Sequence, residues 1–153
     1  MKLFLDTEFT DFIDCDLIAI GIVSEDGKEF YAERNEVDVG RCSAFVREVV
    51  LPLLGKEPAV IGSEEEIGQA LKEWLAQFGE VEVCYDYAAD FEFFSYLVRD
   101  KETLKMPSGI VGHNIKEKIQ AAEVERYWLI HGRMAHHALH DARANCYAYF
   151  KEM

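Results

Sequence analysis

Asp6 and Glu8 stand two residues apart in the segment KLFLDTEF, directly after the apolar run Leu3, Phe4 and Leu5. In an extended strand, residues two apart project to the same side, so both carboxylates face one way at the end of an apolar strand. Two such anions beside a core repel one another and lose hydration, a penalty that a bound Mg²⁺ or Mn²⁺ reverses. An arbitrary D-x-E pair is more often a solvated strand end, so the pair alone proves little. Asp90, in DYAADFEFF, is a second acidic candidate, although an acid in a first helical turn also interacts favourably with the helix dipole. Asp86 has a plain role as a helix cap or turn residue. The third element is HHALHD, residues 136–141, with three histidines and Asp141. Here His136 and His140 have the i, i+4 spacing that puts two zinc ligands on one helical face.

The elements that must position these groups follow from periodicity. Lys2 to Phe9 reads as a central strand, followed by Asp16 to Ser24 and Lys28 to Glu33, with Asp26-Gly27 as a hairpin signal between them. The chain is therefore expected to begin with three antiparallel strands. Phe45, Val46, Val49 and Val50 have helical spacing before Pro52. Ser63 and Glu66 form a capping-box pattern before Ile67, Leu71, Trp74, Leu75 and Phe78, with Gly79 as the stop. Val81 to Tyr85 reads as a further strand, and Ala88 to Val98 as a helix turning Phe91, Phe94, Leu97 and Val98 inward. Residues 100–113 hold Pro107, Gly109 and Gly112 and read as a loop approaching the site. A helix is expected through IKEKIQAAEVERYWLI and another over His136 to Phe150.

A chain of 153 residues, half of them hydrophobic, has the size and apolar content of one globular domain, taken as 1–153. The four cysteines lie far apart without a C-x-x-C pairing and read as reduced, mostly buried thiols. No apolar run approaches the roughly 20 residues a bilayer requires, and carboxylates interrupt the opening segment where a signal peptide needs apolar residues. The expectation is a cytoplasmic protein with no membrane partner. A formal charge of −13 argues against a broad basic grip on long nucleic acid. It is compatible with an acidic, metal-loaded centre that holds a few nucleotides at an end.

Taken in order, D-x-E on a first strand, an acid entering a helix after a later strand, and H-x-A-x-x-D at a final helix resemble the DEDDh family of 3′→5′ exonucleases, in the ribonuclease H-like superfamily. The likeness runs along nearly the whole chain. The FLDTEF opening, the hairpin and HHALHDA most resemble the small bacterial exoribonucleases of the ribonuclease AS type, which favour adenylate-containing RNA. The resemblance implies an α/β, ribonuclease H-like fold with a mixed central sheet flanked by helices. It also implies hydrolysis from the 3′ end of RNA by two Mg²⁺ or Mn²⁺ ions, releasing nucleoside monophosphates. Asp6, Glu8, Asp90 and Asp141 would be the metal ligands and His136 the general base, with its neighbour His137 as the competing imidazole. The chain departs from the family pattern at Asp86, where members often carry Asn, and lacks a glycine soon after the first motif.

A 3′-terminal nucleotide also needs a pocket, for which Phe9, Thr10 and Phe94 are candidates by stacking and sugar contact, core packing being an equal reading for the two phenylalanines. The resemblance further implies a homodimer, to which Tyr147, Tyr149 and Phe150 could contribute an interface or simply core. Three alternatives stay open: 3′→5′ cleavage of single-stranded DNA, an inactive ribonuclease H-like nucleic-acid-binding module, and a zinc hydrolase built on His136 and His140.

Overall fold

The computed structural model describes residues 1–132 and 135–151. Strands β1 (Lys2–Phe9), β2 (Leu17–Ser24) and β3 (Glu29–Arg34) form the expected antiparallel start. Between β2 and β3 the chain reverses at Gly27, whose φ of 88° lies in the left-handed region that glycine enters without strain. The stretch expected to be helical before Pro52 is instead a π turn, Val46–Val50, running into a 3-10 turn, Leu51–Leu53, with Pro52 at its start. Proline has no N–H to continue an α-helical ladder, and the tighter turn takes over there. A three-residue strand β4 (Val60–Gly62) then pairs parallel with β3.

Helix α1 (Glu64–Leu75) carries the full capping box: the Ser63 side chain accepts from Glu66 N, and the Glu66 carboxylate accepts from Ser63 N. Strand β5 (Val81–Tyr85) leads into α2 (Ala88–Val98). The expected loop at 100–113 is corrected at its end, where β6 (Ile110–Asn114) pairs parallel with β5 along its whole length and lies at the sheet edge. Helix α3 spans Ala121–His131 and so starts later than expected, after a 3-10 turn at Lys116–Lys118. Helix α4 spans Ala138–Lys151, which leaves His136 and His137 ahead of it in irregular backbone.

The six strands form one mixed sheet in the order β4-β3-β2-β1-β5-β6, with β1 internal. Alternation along β1 divides the molecule. Leu3 and Leu5 join Ile67, Leu71, Phe94 and Leu97 in the core beneath α1 and α2. Phe4 points the other way, to Tyr149 of α4 with Cys84 and Ile115. Farther along that face Ile18, Val23, Tyr31, Val46 and Val50 pack with Ala138, Leu139 and Ala142. Tyr149 is thus a core residue, and Phe150 packs edge-on against Phe4 while staying partly exposed. All four cysteines are free thiols, two buried and two half-buried. Among the described residues, no helix is long and apolar enough to cross a membrane.

Two local features aim the chain at one place. The parallel pairing of β1 with β5 stops at Phe4↔Cys84, so the second half of β1 runs on beside a gap. On its other side β1 stays paired with β2, where Asp6 is opposite Gly21. A side chain at Gly21 would meet the backbone of Ala138 and Leu139 at 2.5 Å, so the first turn of α4 lies directly on the sheet beside Asp6.

Candidate active site

Asp6 and Glu8 leave β1 on the face covered by α4, consistent with their even spacing from Phe4. Asp90 reaches the same point from the gap between β1 and β5. It sits in the first turn of α2, only 2% exposed, and its Oδ1 accepts from Thr7 Oγ1 at 2.6 Å and from Thr7 N at 3.2 Å. The Thr7 amide that β5 leaves unpaired is therefore the group that fixes Asp90. Asp141, in the first turn of α4, is delivered by the close seat of that helix at Gly21.

The carboxylates converge as two overlapping triads. Oxygen atoms of Asp6, Glu8 and Asp141 lie within 4.8 Å of one another, and so do those of Asp6, Asp86 and Asp90. Burial raises the pKa of every member, and the neighbouring anions raise most of them further: Glu8 to about 8, Asp90 and Asp141 to about 7, and Asp6 well above the usual range. Asp86 is raised by burial and held down by its own backbone amide, the Asn145 side chain, the Lys116 charge and the Tyr87 amide. Asp6 Oδ2 and Asp141 Oδ1 are buried without a hydrogen-bond partner. An oxygen-only donor set with orphaned, mutually repelling carboxylates fits hard divalent cations such as Mg²⁺ or Mn²⁺.

His136 lines the same cavity, of about 640 Å³, as Asp6, Glu8, Asp90 and Asp141. Its backbone is left-handed, with φ at 71°, a conformation unusual for a residue with a side chain. The His136 amide donates to Asp141 Oδ2 at 2.8 Å, and its ring meets Phe45 edge-on at 4.8 Å. Partial burial lowers the imidazole pKa. His137 takes the opposite course. It is 5% exposed and packed against Tyr31 and His140, and its pKa is lowered to about 4 by burial and then by His140. His140 in turn contacts Glu57 at 3.1 Å and Arg143 at 3.1 Å. The three histidines thus divide between the cavity and the interior, and no cluster of possible metal ligands among the described residues contains any of them.

Of the three proposed substrate contacts, the cavity includes Phe9 only. Thr10 is buried, its hydroxyl accepting from Asp16 N at 3.0 Å, where it ties the loop after β1. Phe94 has no exposed surface and packs in the core beneath α2, which corrects its assignment to the pocket. Three aromatic residues not expected as substrate contacts also line the cavity: Phe12, Phe45 and Tyr87. Phe12 is 76% exposed, and Phe9, Phe12 and Tyr87 contact one another at centroid distances from 5.7 to 6.3 Å. Exposed aromatics are costly in water, and beside a carboxylate cluster they form a stacking surface. On the far side of Asp6 and Asp141 a second cavity of about 420 Å³ opens beneath α3, lined among others by Asp86, Lys116, Trp128 and Asn145.

No protein-family model matches the chain. Two curated relatives from two strains of Mycobacterium tuberculosis, both named 3′-5′ exoribonuclease, are 42% identical to it over 77 residues. The aligned stretch covers 49% of this chain and 46% of each relative, so the match spans about half the length of the relatives. Over that half, the chain is similar to proteins named for removing nucleotides from RNA 3′ ends.

Proposed function

We propose that residues 1–153 act as a single ribonuclease H-like domain of the DEDDh type, a metal-dependent 3′→5′ exoribonuclease that releases nucleoside monophosphates. The observation that carries this reading is the gathering of Asp6, Glu8, Asp90 and Asp141, two of them with orphaned buried oxygens, beside His136 in one cavity. The partial likeness to proteins named 3′-5′ exoribonuclease supports it, and RNA as substrate comes from that likeness.

Asp6, Glu8, Asp90 and Asp141 would hold the cations, Asp6 being common to both triads. When bound, the cations supply water activation and stabilise charge on the phosphate and the departing 3′ oxygen. The side chains do the rest. His136, neutral at pH 7 because burial lowers its pKa, accepts the proton of the attacking water. Asp141 aligns it: Oδ2 holds the His136 amide while Oδ1 stays available toward the cations, so one residue serves both base and metal site. Thr7 keeps Asp90 directed across the gap at the end of β5. Phe9, Phe12, Phe45 and Tyr87 give the terminal bases apolar faces, a mode of grip that tolerates a net-acidic protein because it does not rest on phosphate neutralisation.

The test is a digestion time course on 5′-labelled single-stranded RNA, duplex RNA with a 3′ overhang, and single-stranded DNA, each with Mg²⁺, Mn²⁺ or EDTA. The expected result is stepwise shortening of RNA from the 3′ end that EDTA abolishes. Cleavage indifferent to EDTA, or no cleavage of any substrate, counts against the reading, and preferential loss of DNA would replace RNA by DNA as substrate.

A further inference from the structure

Asp86 follows the last residue of β5 and lies on the sheet face of Cys84, the face that also carries Asp6. Its carboxylate oxygen lies within 4.8 Å of ligand atoms on both Asp6 and Asp90, closing a second triad beside that of Asp6, Glu8 and Asp141. A helix cap would account for an acid before α2, yet the N-cap residue is Tyr87, and it makes no side-chain cap bond. Asp86 points instead into the space between Asp6 and the cavity beneath α3, lining both cavities that flank the cluster. The triad includes the 2%-exposed Asp90 and Asp6, whose Oδ2 is buried with no partner.

Building on the exonuclease reading, we propose that Asp86 is a fifth metal-binding carboxylate, which with Asp6 and Asp90 holds the second cation before any nucleic acid arrives. The charges support this. Four carboxylates balance two divalent cations, and a fifth would leave one excess negative charge facing the incoming phosphate. Lys116 supplies the compensating positive charge: it lines the cavity beneath α3 with Asp86 and acts on the Asp86 carboxyl. The Asn145 side chain, which lines the same cavity and favours the charged form of Asp86, is placed to orient the carboxylate. With three protein carboxylates available, the second cation does not depend on a substrate phosphate for its affinity, and the enzyme waits for RNA with both ions in place.

The experiment is a titration of the full chain with Mn²⁺ in the absence of nucleotide, read by calorimetry and by the electron paramagnetic resonance signal of free Mn²⁺. Wild type is expected to bind two ions. The nearly isosteric Asp86→Asn should keep one ion at wild-type affinity and weaken the other by about tenfold or more. Adding adenosine 5′-monophosphate, whose phosphate offers a replacement oxygen, should restore that second ion in the variant while changing wild type little. Two ions bound equally well by wild type and Asp86→Asn would overturn the proposal and leave the exonuclease reading standing. Failure of wild type to bind any divalent cation would overturn both. A measurement that needs no variant is the anomalous scattering of Mn²⁺ in crystals of wild type. The second ion should lie about 2.1–2.3 Å from an Asp86 oxygen, within ordinary hard-cation distances, and an ion coordinated without Asp86 overturns the assignment.

Discussion

Asp141→Asn should make the metal-free protein more stable while destroying the proposed exonuclease activity. Burial, first, and the anions around it, second, raise the Asp141 pKa from 3.8 to about 7, with the His136 amide and the nearby Trp128 indole opposing. A folded-state pKa above the unfolded one means that the carboxyl contributes stability below about pH 4 and loses it as pH rises toward 7. At about 1.4 kcal/mol for each tenfold change in proton affinity, the full displacement corresponds to roughly 4 kcal/mol. The neighbouring carboxylates share that cost, so deleting one charge should recover about 1–3 kcal/mol, or ~3–10 °C in Tm for a chain of this length. The asparagine oxygen can still accept from His136 N, and its amide can donate toward Asp6 or Glu8, so the fold keeps its contacts. The assay is thermal unfolding followed by circular dichroism in EDTA, at about pH 5 and pH 8, and again with millimolar Mg²⁺. The gap between the proteins should widen from the lower to the higher pH in EDTA. Mg²⁺ should raise the wild-type Tm by more than the variant's, because Asp141→Asn loses the Asp6–Glu8–Asp141 set and keeps that of Asp6, Asp86 and Asp90. A variant that melts at or below wild type in EDTA at the higher pH, with the same response to Mg²⁺, would refute the reasoning.

His136→Ala should lower kcat by about 10²–10⁴-fold with little change in Tm, because the residue is exposed and its backbone amide, which alanine keeps, is what holds Asp141. His137→Ala should do the reverse, costing about 1–3 kcal/mol in denaturant unfolding through lost packing against Tyr31 and His140; a greater rate loss there would make His137 the base. Phe12→Ala and Tyr87→Ala should each raise KM for a short RNA, by an amount equivalent to about 1–3 kcal/mol per lost stacking contact, with kcat affected less. Unchanged KM in both would remove the aromatic wall from substrate binding.

Much of the sheet was legible because local signals and tertiary demands agree in it. Asp-Gly made the β2–β3 turn, and Ser63 with Glu66 made the start of α1. Strands β4 and β6 escaped for a physical reason. The first has three residues, and the second, IVGHN, carries a glycine, two polar residues and largely exposed side chains at an edge where no apolar alternation is required. The later start of α3 has no side-chain cap to announce it. Within the site, the common face of Asp6 and Glu8 was readable from alternation, and the burial of Phe94 from its place on the inward stripe of α2. Phe12, Phe45 and Tyr87 were not, since their exposure depends on three separate segments meeting. Nor was the proximity of Asp86 to Asp6, because a cap and a ligand look alike before the fold brings a second acid beside one of them.

The close seat of α4 on Gly21 has a consequence for how the protein comes into being. Asp6 and Asp141 are far apart along the chain, and their meeting waits on a long-range contact in which backbone rests on backbone. Detachment of that one helix would leave β1 with its neighbours while separating Asp141 and His136 from Asp6 and Glu8. On the exonuclease reading, competence to cut is therefore tied to completion of the fold: a chain still assembling, or one partly undone by heat or a protease, would be inert toward the nucleic acids around it.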